Sequence, residues 1–351
     1  MSAGIVQRIW AGDAGWPRIA RAALTPLSAA YRLVVGTRNA LYDAGALPTH
    51  PLAVPAISIG NVSVGGTGKT PVAAWVAAEL QRRGAHPAIV LRGYGDDEPL
   101  VHRQLAPGVP VVVDADRVRG AQEAARVGAD VVVLDDAFQH RRATRSADLV
   151  LVAAEQPIRG ARVLPAGPLR EPGRALRRAS AVIVTRKSAL PQAAEAVLDE
   201  LVGWTGLPGA VVALVPDALV SAPGGESRPL DTLRGRPVLV VTGIGAPGAF
   251  VAQLEAYGAQ VTLHAYPDHH AFSDADLHRA ARAVPAGGLA VCTLKDMVKI
   301  GARWPGAGPL WYVSQRVVVE RGADVLARIL DRVTAERTTN LPTAGTDRLP
   351  A

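Results

Sequence analysis

Ser63-Val64-Gly65-Gly66-Thr67-Gly68-Lys69-Thr70 stands between the apolar run Ala56-Ile57-Ser58-Ile59 and a helix-like stretch from Lys69 to Leu80. Strand, glycine-rich loop and helix in that order make a phosphate-binding loop, with Ser63 in place of the usual first glycine. Gly65, Gly66 and Gly68 let the backbone curl so that its N–H groups and the next helix's N-terminus face phosphate oxygens. Lys69 brings a point charge for the β- and γ-phosphates, and Thr70 a hydroxyl for Mg2+. Residues Ser63 to Thr70 are therefore expected to bind a nucleotide, within a P-loop NTPase-like parallel α/β sheet.

A site of this class needs a carboxylate at the end of a neighbouring strand, and Val131-Val132-Val133-Leu134 runs into Asp135-Asp136. Four apolar residues followed by two acids place the carboxylates at the C-terminal edge of a sheet, where open α/β folds bind ligands. Asp135 and Asp136 are the expected Mg2+ residues, directly or through water. A turn with a helix cap is the other use of such a pair.

The 351 residues suffice for two ordinary domains, and 49% hydrophobic with 20% charged content describes a globular chain rather than a disordered one. The single cysteine, Cys292, excludes an internal disulfide framework and a thiolate zinc cluster. A formal charge of +7 favours anionic partners. Nearly all of that charge is arginine, so Lys69, Lys187, Lys295 and Lys299 stand out.

In residues 1–50, Arg18, Arg21, Arg32 and Arg38 interrupt every apolar run well short of the roughly 18 residues that span a bilayer. Neither a transmembrane helix nor a cleavable signal peptide fits. The pattern predicts an amphipathic helix on which Leu24, Leu27, Tyr31, Val34, Val35 and Leu41 share a broad face beside the arginines, after Trp10 and Trp16. Such a helix lies in a membrane interface or packs on its own domain.

Together these stretches resemble one family, the tetraacyldisaccharide 4'-kinases of lipid A biosynthesis. Gly60 to Pro71 carries the resemblance first, then Arg92-Gly93-Tyr94-Gly95, Asp97-Glu98-Pro99 and Asp135-Asp136-Ala137-Phe138-Gln139-His140. Leu164 to Pro172, Pro267-Asp268-His269-His270 and Thr293-Leu294-Lys295-Asp296-Met297-Val298-Lys299 follow in order. The resemblance implies transfer of the ATP γ-phosphoryl group, with Mg2+, to the 4'-hydroxyl of a tetraacyldisaccharide 1-phosphate. It also implies a peripheral enzyme at the cytoplasmic face of the bacterial inner membrane, without a nucleic-acid partner.

By that resemblance Asp97 looks like the base that takes the acceptor proton, assisted by His269, and Arg117 like a cation beside the reacting phosphates. A carboxylate oriented by an imidazole is sound chemistry for this step. Arg117 also reads as a solvated arginine at a helix start. Arg92, Tyr94, Glu98, Gln139, His140, Arg170 and Glu171 look like the acceptor's surroundings. Arg162, Arg174, Arg177 and Arg178 make a basic patch, suited to a sugar phosphate or to headgroups, or simply solvated.

Two departures from the family pattern stand out. Ala137 replaces a usual glycine, and the β-hairpin of most relatives between Gly95 and Asp97 is missing. Beyond Ala210 strands and helices alternate again, and Gly243-Ile244-Gly245-Ala246-Pro247-Gly248 imitates a dinucleotide fingerprint. Lys295 and Lys299, four apart, read either as cleft residues or as a plain helix face. The expected organisation is an interfacial segment over 1–50, a nucleotide-binding kinase domain over 51–209, a second, smaller α/β domain over 210–335 contributing to the acceptor cleft, and a disordered tail over 336–351. A phosphate-loop switch that hydrolyses nucleotide on a protein partner is the competing reading; it has no use for Asp97 with His269.

Overall fold

Short apolar runs closed by Gly, Asp or Thr become strands buried on both faces, as parallel sheets flanked by helices require. The computed structural model describes residues 6, 8–10, 12, 14–93, 97–245 and 247–339. The first half contains α1 (Trp16–Asp43), β1 (Ala56–Asn61), α2 (Lys69–Arg82), β2 (Pro87–Leu91), α3 (Asp97–Leu105), β3 (Val111–Val113), α4 (Arg117–Arg126), β4 (Val131–Asp135) and β5 (Ala147–Ala153). Then come β6 (Ala181–Arg186), α5 (Pro191–Thr205), β7 (Gly209–Ala222), β8 (Ser227–Pro229), β9 (Pro237–Thr242), α6 (Pro247–Ala256) and β10 (Gln260–Ala265). The chain closes with α7 (Asp274–Arg282), β11 (Leu289–Cys292), α8 (Leu294–Ile300), β12 (Leu310–Arg321) and α9 (Ala323–Thr339). The helix α9 thus passes residue 336, where the tail is expected, and residues 340–351 lie outside the described residues.

The chain forms two units: one of residues 14–93, 102–213 and 319–351, the other of 1–13, 94–101 and 214–318. In the first, parallel strands run in the order β7-β6-β5-β1-β4-β2-β3. All six residues of β1 are buried, and its register with β4 sets Ile59 beside Asp135. The loop after β1 and the acids after β4 therefore leave the same edge of the sheet. Gly60 makes that junction possible, because a Cβ there would lie 2.5 Å from the Cβ of Phe138. One face of the sheet carries two clusters, Val90, Ala121, Val132 and Leu134 in one and Phe138, Val150, Leu176 and Val184 in the next, while the buried Ile57, Ile59, Val133 and Leu149 share the opposite face.

Helix α1 belongs to this unit, and its docking splits the apolar face expected from sequence. Leu24, Ser28, Tyr31, Val35, Arg38, Asn39 and Tyr42 are the more covered positions, whereas Trp16, Ile19, Leu27, Leu33, Val34 and Leu41 are exposed. Polar contacts help to seat the covered side. The Ser28 hydroxyl accepts from the Ala166 N–H at 2.9 Å, and the Tyr31 hydroxyl donates to the Arg170 carbonyl at 2.9 Å. Among the described residues no helix is long and apolar enough to cross a membrane.

In the second unit the order is β10-β9-β11-β12-β7, with β8 antiparallel to β7. Leu219, Val240, Leu254 and Trp311 fill one core cluster, and Leu239, Leu277, Cys292 and Ile300 another. The dinucleotide-like glycines follow β9, where they admit a neighbouring loop: a Cβ on Gly243 would sit 3.1 Å from His270 Cβ, and one on Gly245 3.2 Å from the Asp268 carboxylate. Ala246 lies outside the described residues.

Candidate active site

The phosphate loop curls through two left-handed glycines, Gly65 at φ 130° and Gly68 at φ 80°, the latter leading into α2. Its inner wall is fastened from several sides. Asn61 Nδ2 donates to the Thr67 hydroxyl at 3.1 Å, and the Thr185 hydroxyl donates to the Thr67 carbonyl at 2.9 Å. The Val64 N–H donates to the Pro168 carbonyl at 2.8 Å, and the Arg170 N–H to the Val62 carbonyl at 2.7 Å. The Leu164–Pro172 stretch is thereby tied to the loop. Lys187 Nζ donates to the Gly66 carbonyl at 2.8 Å, which puts a second lysine on the loop.

Past β4 the backbone turns through Asp136 at φ 50°, a left-handed value uncommon outside glycine. That turn sends the two acids different ways. Asp136 meets Arg170 Nη1 at 2.9 and 3.0 Å and Lys69 Nζ at 3.7 Å. Asp135 is buried, with Oδ2 at 2.8 Å from His102 Nε2. Its Oδ1 is buried and has no hydrogen-bond partner among the described residues.

That unpartnered oxygen tests the metal expectation. A hard divalent cation shared with nucleotide phosphates needs one or two protein carboxylates, not a full cage. The absence of any cluster of three His, Cys, Asp or Glu among the described residues is compatible with such a site. Asp135 Oδ1 is a donor of the kind Mg2+ takes, with Asp136 and the Thr70 hydroxyl the further candidates.

Arg117 is 2% exposed, which removes the reading of a solvated arginine. Its guanidinium donates to the Asp114 carbonyl at 3.0 Å and to the Asp135 carbonyl at 3.2 Å, and Asp116 caps its helix through the Val118 N–H. Burial lowers its pKa, opposed by Asp136 and Asp135. Gln139 Nε2 donates to the Asn61 carbonyl at 2.8 Å. His140 is half-buried, and burial, with Arg117 nearby, lowers its pKa to about 4, so the ring is neutral near pH 7. Glu171 is buried and engaged by Arg178 at 2.9 Å and by Asn39 of α1 at 2.7 Å. Arg92 follows β2 in an exposed position, and Tyr94 lies outside the described residues. Within the basic patch, Arg178 also covers the Phe138 ring and Arg162 reaches the Thr25 hydroxyl.

In the other unit Asp97 is the first residue of α3, 4% exposed, with Glu98 beside it in the same turn. His269 Nδ1 lies 3.4 Å from Asp97 Oδ2, an oxygen that makes no hydrogen bond among the described residues. His269 also has a left-handed backbone, φ 56°, held by N–H donation to the Gly243 carbonyl at 3.0 Å. Such strain in a non-glycine residue persists where the surroundings fix it. His270 turns the other way, stacking on Tyr266 at 4.8 Å and meeting Asp276 at 3.1 Å. The paired histidines thus divide into one that faces Asp97 and one that packs.

Sequence reasoning missed His102, since a lone histidine in a short helix carries no pattern. Lys187 was visible only as a rare lysine.

The chain is similar throughout its length to one family of known proteins. A family model for tetraacyldisaccharide-1-P 4'-kinase (LpxK) matches residues 20–99 and 95–334, two pieces that overlap at 95–99. A tetraacyldisaccharide 4'-kinase of Anaeromyxobacter sp. (strain K) is 38% identical, over 94% of this chain and 96% of its own. One from Halorhodospira halophila is 38% identical over 88% and 91%. The crystal structure of LpxK from Aquifex aeolicus in complex with ATP superposes with a TM-score of 0.73 at 29% identity, covering 90% of this chain and 99% of that one.

Proposed function

The chain belongs to the tetraacyldisaccharide 4'-kinase family of lipid A biosynthesis, and on that premise we propose that Asp97 is the base that activates the acceptor hydroxyl for attack on ATP. Its burial beside His269, in a helix-start position, is the observation that carries this reading. The 4'-oxygen bonds to the γ-phosphorus, its proton passes to Asp97, and the bond from the γ-phosphorus to the bridging oxygen breaks to release ADP. His269 orients the carboxylate and, once Asp97 is protonated, accepts the proton onward.

The nucleotide is held by Ser63 to Thr70, with Lys69 on the β- and γ-phosphates. Thr70, Asp135 and Asp136 would hold Mg2+, which neutralises phosphate charge. Arg117, buried against Asp135, offers a fixed cation for the charge that spreads over the transferring group. Arg170 is set by Asp136, and Glu171 fastens the segment that carries it. By the family resemblance, Arg92, Glu98, Gln139 and His140 are the further candidates for binding the acceptor.

A lipid acceptor calls for contact with a membrane surface, and the exposed side of α1 suits it. Leu27, Leu33 and Val34 project there, while Arg32 and Arg174 line one adjoining groove and Arg18, Arg21 and Arg162 another. Apolar side chains flanked by arginines match an anionic interface, such as the cytoplasmic face of the inner membrane. The test is transfer of label from γ-labelled ATP to tetraacyldisaccharide 1-phosphate in detergent micelles with Mg2+. Labelled lipid is the expected product; label released only as inorganic phosphate contradicts the reading.

A further inference from the structure

Lys299 is one of only four lysines in the chain, and the reaction as derived so far gives it no part. It projects from α8, and its Nζ lies 3.8 Å from Asp97 Oδ2, the oxygen that faces His269. On its other side Asp296 Oδ1 is 3.9 Å away. The His270 carbonyl accepts from the same ammonium at 3.5 Å, and the Phe272 ring lies beneath it at 5.7 Å.

Asp296 is fully buried and fixed by three donors: the Thr242 hydroxyl at 2.7 Å, the Gly243 N–H at 3.0 Å and the Thr293 hydroxyl at 2.7 Å. A buried carboxylate with its oxygens so occupied is an immobile anion, and it holds the end of the flexible lysine stem in one place. The ammonium is then set against Asp97, whose Oδ2 makes no hydrogen bond among the described residues.

We propose that Lys299 is a positioning residue for phosphoryl transfer: anchored on Asp296, its ammonium holds the Asp97 carboxylate oriented for the acceptor hydroxyl. The inference rests on the reading of Asp97 as the base. A fixed cation beside a carboxylate favours a single rotamer. The ionisable groups facing Asp97 are His269 from the loop after β10 and Lys299 from α8, with Asp296 behind Lys299 and Glu98 next along α3.

The test compares the full-length wild type with K299M, K299R and D97N in kcat and in KM for ATP and for the lipid acceptor. Thermal unfolding is followed in parallel. K299M is expected to lose about tenfold or more in kcat while both KM values stay within about threefold. K299R, which keeps the charge, recovers most of the loss. If K299M unfolds early, K299Q takes its place.

Wild-type kcat in K299M, with D97N inactive, would overturn the role of Lys299 and leave Asp97 as the base. A raised acceptor KM with unchanged kcat would also overturn it, showing a binding residue instead. Retained turnover in D97N would remove the reading of Asp97 on which the inference rests.

Discussion

His102 Nε2 sits 2.8 Å from Asp135 Oδ2, both side chains buried, so the acid that closes β4 is held by a histidine from α3. This hydrogen bond occupies one carboxylate oxygen and leaves Oδ1 without a protein partner among the described residues. Replacing His102 with alanine strands a buried carboxylate. The expected cost is about 2–3 kcal/mol in chemical denaturation, with weaker Mg2+-dependent nucleotide binding by calorimetry. A variant as stable as wild type, with unchanged Mg2+ dependence, would show that the contact contributes little.

His140 gives the fold a pH dependence with a definite sign. Its pKa is lowered to about 4 in the folded chain, first by burial and then by Arg117, against an ordinary value near 6.5. The unfolded chain therefore binds the extra proton between these values, and stability falls as pH drops from about 6.5 towards 4. H140Q cannot take up that proton, so its denaturation free energy should fall less than wild type's over this window. Parallel curves would contradict the assignment.

The outward face of α1 allows the membrane reading to be separated from folding. Leu33 and Val34 are 71% and 67% exposed, so L33S/V34S should leave the melting temperature nearly unchanged. Partition onto anionic vesicles should weaken by about tenfold in a sedimentation assay, from loss of apolar area at the interface. Undiminished partition would place the membrane contact elsewhere.

The strand and loop around Gly60–Thr70 were legible because a strand buried on both faces is a bare apolar run, and because left-handed turns demand glycine at Gly65 and Gly68. Asp135 and Asp136 were legible for the same reason, being the first charges after Val131–Leu134. Their division of labour was not: it depends on the backbone turn at Asp136 and on His102, a long-range partner that no local spacing encodes. Periodicity also grouped Leu27 and Val34 with Leu24 and Tyr31, whereas the docked side of α1 includes Ser28 and Asn39. A polar seam of that kind is invisible to a hydrophobic pattern. Asp97 and His269 came from resemblance alone, and their proximity is supplied by glycines after β9 that let the histidine loop approach.

On the proposed reading, Asp97 serves the acceptor and not the nucleotide. The most direct measurement is single-turnover phosphoryl transfer by D97N beside its ATP dissociation constant, with K69A as the contrast. D97N is expected to lose about 100-fold or more in rate while ATP affinity stays within about threefold, whereas K69A weakens ATP binding as well. Transfer by D97N at near the wild-type rate, or loss of ATP affinity equal to that of K69A, would contradict it.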